Sequence, residues 1–311
     1  MEFDSSIYVA GHGGLVGSAL IRKLNDTGYH NVIAVDRSRL DLTNQNEVRR
    51  FFNIQRPEYV FLAAAKVGGI NYNKSYPADF MYDNLMIQSN VIDSAYHSGV
   101  KKLMFLGSAC IYPKITPQPI VEDYLLAGPL EETNEGYAIA KIAGLKMCQK
   151  YREQHGFNAI SVMPTNLYGP RDNFNINQCH VIPAMIWKFH NAKKNNLKDV
   201  VLFGDGSPTR EFLHINDLAD SLIFLMNNYD GSEHINIGAP RAYSIKELAE
   251  IVSSIVGWDG RIIWDTDKPN GTPLRKLDSS KLYDLGWMPT ITLESGIAST
   301  YRWFLENTNG I

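Results

Sequence analysis

Ile7-Tyr8-Val9-Ala10-Gly11-His12-Gly13-Gly14-Leu15-Val16-Gly17 decides how the rest of the chain is read. Four apolar residues make a strand, the glycines follow at once, and Leu15 to Leu24 carries a helical pattern. Glycine at 11, 14 and 17 allows a tight turn, close approach of a pyrophosphate and close packing of helix on strand. Gly13, Leu15 and Val16 lie in the same turn, where a helix N-terminus offers N–H groups and partial positive charge to phosphates. A glycine triplet alone is weak evidence, because many turns are glycine-rich. Strand, turn and helix in that order, at the head of an α/β pattern, predict a dinucleotide-binding turn. Asp36 is expected to end the second strand and to accept hydrogen bonds from an adenosine ribose. The ordinary alternative is a solvated strand end, since Arg37 and Arg39 stand beside it.

Outward from that turn, short apolar runs alternate with helical stretches. Val32-Ile33-Ala34-Val35, Tyr59 to Ala63, Leu103 to Leu106 and Ala159 to Met163 read as strands. Glu47 to Asn53, Asp79 to His97 and Tyr137 to Gln154 read as helices. Continuous apolar strands between helices predict a Rossmann-type α/β fold, a doubly wound parallel sheet covered on both faces. After Pro170 the alternation stops, although Asn216 to Asn227, Ser244 to Val256 and Leu293 to Leu305 remain helical in pattern. The expected division is discontinuous: residues 1–170 and 216–238 form the dinucleotide domain, and 171–215 and 239–311 a smaller, mixed substrate domain.

Composition narrows the class. The 311 residues are 44% apolar and 20% charged, as in ordinary globular proteins. A net charge of -3 gives no global attraction to nucleic acid or anionic lipid. Met1-Glu2-Phe3-Asp4 has no basic n-region, and no apolar run approaches the ~20 residues of a membrane span. Cys110, Cys148 and Cys179 follow no metal-ligand spacing and cannot all pair, which is the usage of a reducing compartment. These features predict a cytoplasmic protein without a metal, a nucleic-acid partner or a membrane.

Tyr137-Ala138-Ile139-Ala140-Lys141 sets tyrosine and lysine one helical turn apart. An ammonium near a phenol favours phenolate, so Tyr137 is expected below its reference pKa of about 10 and usable as a general acid or base. Ser108 is expected to end the fourth strand in Leu106-Gly107-Ser108-Ala109-Cys110, where sheet enzymes keep their ligand crevice. If Ser108 to Cys110 is extended, strand alternation points both side chains the same way. The bland readings are a chance tyrosine–lysine pair and a cysteine acting as a small buried hydrophobe. His180 by itself reads as an ordinary structural histidine.

The chain resembles the extended short-chain dehydrogenase/reductases, and closely their GDP-L-fucose synthase branch. The similar stretches run from end to end: Leu62-Ala63-Ala64-Ala65-Lys66-Val67-Gly68-Gly69-Ile70, Gly107-Ser108-Ala109-Cys110-Ile111-Tyr112-Pro113, Pro164-Thr165-Asn166-Leu167-Tyr168-Gly169-Pro170, His180-Val181-Ile182-Pro183-Ala184, Arg210-Glu211-Phe212-Leu213-His214, and Ala298 to Asn307. The Ser108–Pro113 and His180–Ala184 pieces mark this branch, whereas the glycine turn and Tyr-x-x-x-Lys mark only the superfamily.

The resemblance implies a bifunctional enzyme that epimerises C3 and C5 of GDP-4-keto-6-deoxy-D-mannose and then reduces C4. It implies Ser108, Tyr137 and Lys141 as the reductase set and Cys110 and His180 as the acid/base pair of epimerisation. For NADP it implies the turn together with Asp36, Arg37, Asp41, Leu42, Ala64, Leu106, Lys141, Pro164, Asn166, Leu167 and His180. Lys188, Phe203, Arg210, Asn270 and Arg275 fall where the GDP-linked keto-deoxy sugar is held, and a homodimer is implied. Lys188 and Phe203 depart from an arginine and a tryptophan usual at those positions. Related dehydratases carry carboxylates just after the strand-end hydroxyl, and Ala109 and Cys110 stand there instead, against dehydration. NADPH is favoured through Arg37 and Arg39, but Asp36 and the missing arginine at Gly13 leave NAD possible. An enzyme for a UDP- or dTDP-linked 4-keto sugar and a non-catalytic dinucleotide sensor are the rival readings.

Overall fold

The computed structural model describes residues 1–176, 178–268 and 270–307, so the last four positions of the segment 239–311 lie outside the described residues. Twelve strands are named in chain order: β1 (Ile7–Ala10), β2 (Val32–Ile33), β3 (Tyr59–Leu62), β4 (Lys102–Leu106), β5 (Ala159–Pro164), β6 (Asn166–Tyr168), β7 (Asp199–Phe203), β8 (Thr209–His214), β9 (Ile235–Ile237), β10 (Ala242–Ser244), β11 (Arg261–Asp265) and β12 (Leu274–Arg275). The helices are α1 (Leu15–Asp26), α2 (Gln45–Gln55), α3 (Ile70–Ser75), α4 (Pro77–His97), α5 (Glu135–His155), α6 (Val181–Lys194), α7 (Ile215–Asn228), α8 (Ile245–Val256), α9 (Ser280–Asp284) and α10 (Leu293–Asn307).

The main sheet has the order β2-β1-β3-β4-β5-β9, and all of its pairings are parallel. Period-two alternation divides each strand between two cores. Ile7, Val9, Phe61, Met104 and Val162 pack under α1 and α7, while Tyr8, Val60, Leu103, Phe105 and Met163 pack under α2, α4 and α5. Burial on both faces is why these strands read as unbroken apolar runs. From β1 the chain moves to β2 on one side and returns to β3 on the other. The carboxyl ends of β1 and β3 therefore flank the switch point where doubly wound sheets bind ligands. β2 is shorter than the run Val32–Val35: as the edge strand it has one partner, and pairing ends at Ile33.

The later elements form separate small sheets. β8 pairs with β10 antiparallel and with β6 and β12 parallel, and β7 pairs with β11. Ile186, Phe189, Leu248, Val252, Ile297 and Phe304 join α6, α8 and α10 in a third core. Ser244 and Glu247 exchange capping-box bonds at the start of α8, and Gly257, at φ 72°, stops it. α6 is absent from the sequence reading because Pro183 interrupts its pattern. Proline at a third helical position costs no hydrogen bond, since first-turn N–H groups have no intrahelical partner. Among the described residues no helix is long and apolar enough to cross a membrane.

Candidate active site

The glycine turn is a cradle that side chains would fill. Gly11 has φ +88°, and a Cβ on it would lie 2.6 Å from the Ala64 nitrogen just beyond β3. A Cβ on Gly17 would meet the Gly11 oxygen at 2.2 Å. Gly14 caps α1 without a side-chain bond, and the first turn holds no acid to compete for its positive end. Leu15 and Val16 begin the helix behind it. This chemistry fits a dinucleotide pyrophosphate.

Asp36 does not end a strand. It lies three residues past β2, largely exposed, with Oδ1 3.2 Å from His12 Nε2 of the turn. Arg37 follows in the same bend. The Asp41 carboxylate accepts from Thr43 N at 3.0 Å and Oγ1 at 2.8 Å, which holds its pKa below the usual range. Asn90 Nδ2 donates to the Leu42 oxygen at 2.9 Å, tying that loop to α4.

Ser108, Cys110, Tyr137 and Lys141 come together at the end of β4. Ser108 caps a three-residue 3-10 turn, Ala109–Ile111, its Oγ accepting from Cys110 N at 3.4 Å. Cys110 thus stands beside Ser108 through a turn and not through strand alternation. The serine hydroxyl binds local backbone and diverts the chain from the extended form. α5 lies tight on β4, for a Cβ on Gly144 would meet the Phe105 ring at 2.5 Å. That approach sends buried Lys141 Nζ to the Leu106 oxygen at 2.8 Å, 4.9 Å from the Phe105 centroid and 5.8 Å from that of Tyr137.

Burial dominates the electrostatics. It pushes Tyr137 above the ordinary phenol value, the Ser108 hydroxyl bond only partly offsetting this, and it pushes Lys141 down to about 8. The expectation of a lowered tyrosine pKa is corrected accordingly: at neutral pH Tyr137 is a phenol, a proton donor. Burial likewise pushes the Cys110 thiol up, while the Ser108 hydroxyl, Arg275 and Lys141 pull it back.

His180 arrives from another direction, as the residue that precedes α6. Gly69 N donates to the Gln178 oxygen at 3.1 Å, docking this segment on the loop after β3. Its surface is open to solvent, and crowding by surrounding protein holds its pKa below the usual imidazole value. Pro164 ends β5, and Asn166 opens β6 with Nδ2 donating to the Glu211 oxygen at 3.1 Å. Leu167 pairs with Leu213.

The remaining candidates lie on the later sheets. Arg210 and Arg275 face each other across β8 and β12. Burial and the neighbouring Arg275 both lower the Arg210 pKa, so an anion is favoured there. Arg275 Nη2 donates to the oxygens of Ala109 at 2.9 Å and Tyr112 at 3.1 Å. Lys188 Nζ donates to the Val201 oxygen at 2.8 Å and lies over the exposed Phe203 ring. Asn270 Oδ1 accepts from Asp205 N at 2.8 Å. Glu211 lies between Arg210 and Phe212 on β8. Fully buried, it accepts from Leu277 N at 2.8 Å and Ala239 N at 3.0 Å, and burial pushes it up to about 7. A carboxylate directly before the apolar pair Phe212-Leu213 is the one sequence signal for it. Among the described residues no group of three His, Cys, Asp or Glu side chains is placed to hold a metal.

Residues 7–238 match the NAD dependent epimerase/dehydratase family. GDP-L-fucose synthase 1 of Arabidopsis thaliana is 57% identical over 98% of this chain and 94% of its own length. GDP-L-fucose synthase of Escherichia coli K12 is 49% identical over 97% of each. The structure of a GDP-L-fucose synthetase from Naegleria fowleri bound to NADP superposes with a TM-score of 0.92 at 31% identity, covering 100% of this chain and 97% of that one. With that turn, the side chains gathered at the end of β4 and these full-length relatives, the chain belongs to the NAD dependent epimerase/dehydratase family and, within it, to the GDP-L-fucose synthases.

Proposed function

We propose that this chain converts GDP-4-keto-6-deoxy-D-mannose to GDP-L-fucose by epimerising C3 and C5 and then reducing C4 with NADPH. The observation that carries the reading is the meeting of Ser108, Cys110, Tyr137 and Lys141 at the carboxyl end of β4. A C4 ketone acidifies the hydrogens at C3 and C5, so epimerisation needs only groups that take a proton from one face and return one to the other. Cys110 and His180 are that pair. The enolate oxygen is held by the hydroxyls of Ser108 and Tyr137, donors prepared before charge develops. NADPH, when bound, supplies the hydride for C4. Tyr137, kept protonated by burial, gives its proton to the C4 oxygen. Lys141 holds Tyr137 and the β4 end in register through the Leu106 carbonyl.

On this reading Arg210 meets the diphosphate, with the segments 171–215 and 239–311 forming the sugar-nucleotide side and 1–170 with 216–238 the cofactor side. The working form is a cytoplasmic homodimer. NADPH oxidation against a panel of GDP-, UDP- and dTDP-linked 4-keto-6-deoxy sugars, with products identified by NMR, tests the proposal. Selective turnover of the GDP sugar to the fucose product is expected. Preference for another nucleotide, or NADPH binding without turnover, overturns it.

A further inference from the structure

The contact between β12 and the 3-10 turn joins the substrate side to the thiol. Arg275 Nη2 reaches the Ala109 and Tyr112 carbonyls across sequence separations of 166 and 163 residues. Those carbonyls bracket Cys110, one just before it and one just after the turn. The far end of the turn is anchored too, for the buried Tyr112 hydroxyl donates to Asn236 Oδ1 at 2.5 Å. Without Arg275 the two carbonyls lose a charged donor in a half-buried setting, and the short turn loses these two bonds to β12.

We propose that Arg275 is a positioning residue for the epimerase step, holding the Ala109–Ile111 turn against β12 and steadying Cys110 as thiolate. The groups facing Cys110 are Ser108 of its own segment, Tyr137 and Lys141 of α5, and Arg275 of β12. Lys141 is engaged by the Leu106 carbonyl and is pushed toward neutrality, so Arg275 is the cation that persists as pH rises. Arg210, its neighbour across the strand pair, is left for the diphosphate. The chemical step served rests on the function proposed above, whereas the Arg275–turn contact does not.

Two readouts separate these layers in Arg275→Gln and Arg275→Lys. The pH profile of iodoacetamide alkylation at Cys110, followed by mass spectrometry without substrate, reports the thiolate. Exchange of C3 and C5 hydrogens of GDP-4-keto-6-deoxy-D-mannose in D₂O without NADPH reports the reaction. In Arg275→Gln the alkylation midpoint should rise by about one pH unit, as expected on removing a nearby opposite charge. Exchange at neutral pH should fall about tenfold or more, with NADPH affinity retained. Arg275→Lys keeps the charge and loses the planar fork, so its midpoint stays near wild type while exchange falls. An unmoved midpoint in Arg275→Gln, with only KM for the GDP sugar raised, overturns the proposal. If Arg275→Gln does not fold, a lysine variant whose midpoint climbs by a full unit overturns it instead. Wild-type protein that exchanges no hydrogens refutes the proposed function, and the alkylation profiles still judge Arg275.

Discussion

Replacing Gly17 by alanine probes the cofactor turn at its tightest point. The new Cβ would lie 2.2 Å from the Gly11 oxygen, 2.6 Å from His12 Cα and 2.7 Å from the Gly11 carbonyl carbon. All three are backbone atoms of the turn, so no side chain can swing aside. Ordinary contact begins near 3.4 Å, and the turn must retreat by more than 1 Å. Behind it stands the Ala64 backbone, leaving little room. Overpacking of this kind costs about 1–3 kcal/mol of stability. Displacing one charge-assisted hydrogen bond to the pyrophosphate costs about 1.5–3 kcal/mol more in binding, roughly 10- to 100-fold in NADPH affinity. Gly13→Ala is the control within the same turn: a Cβ there meets nothing within 4 Å, so stability should stay within about 0.5 kcal/mol of wild type. Thermal melts and NADPH titrations of both variants check this. An alanine at 17 that binds NADPH within twofold of wild type refutes the reasoning, as does an equal loss in both variants.

Three further outcomes are expected. Tyr137→Phe should cut reduction by roughly 10² or more while NADPH still binds, because a positioned acid is removed and the ring remains; near-normal turnover excludes the role. The wild type should show higher kcat/KM with NADPH than with NADH, and Gly13→Arg, entering open space, should widen that ratio. A clear NADH preference would instead place Asp36 on a ribose 2′-hydroxyl. Glu211, raised in the fold to about 7 from an ordinary 4.5, favours the folded state fully below its unfolded value, and that contribution fades as pH rises through about 7. The loss amounts to at most about 3 kcal/mol, so the melting deficit of Glu211→Gln should be larger at pH 5 than at pH 8. A deficit independent of pH speaks against it.

What the sequence made legible follows the range of the interactions concerned. The glycine turn and the Tyr137–Lys141 pair are local: three glycines in seven residues and a four-residue helical step need no knowledge of distant partners. The parallel sheet was legible because strands buried on both faces must be apolar throughout. Asp36, expected to end the strand, lies beyond it because an edge strand stops where its one partner stops, and Val32–Val35 does not say where that is. Cys110 reached the right neighbours by a different backbone, since the Ser108 hydroxyl competes for local N–H groups as any N-cap serine does. On the substrate side the limit is sharper. β12 has only two residues, and no period in two residues says which face Arg275 takes; its pairing with β8 decides that. Five basic and aromatic or amide positions read alike in one dimension, as candidates for one nucleotide. Folding assigns Arg275 to the carbonyls around Cys110, Lys188 to the Val201 carbonyl and Asn270 to the Asp205 turn. Of the two facing arginines, Arg210 alone keeps its guanidinium on its own strand, bonded to the Thr209 oxygen. A second cation beside it, already held by carbonyls, would raise the gain from the diphosphate proposed to bind there, because an anion relieves a repulsion that the fold has built in.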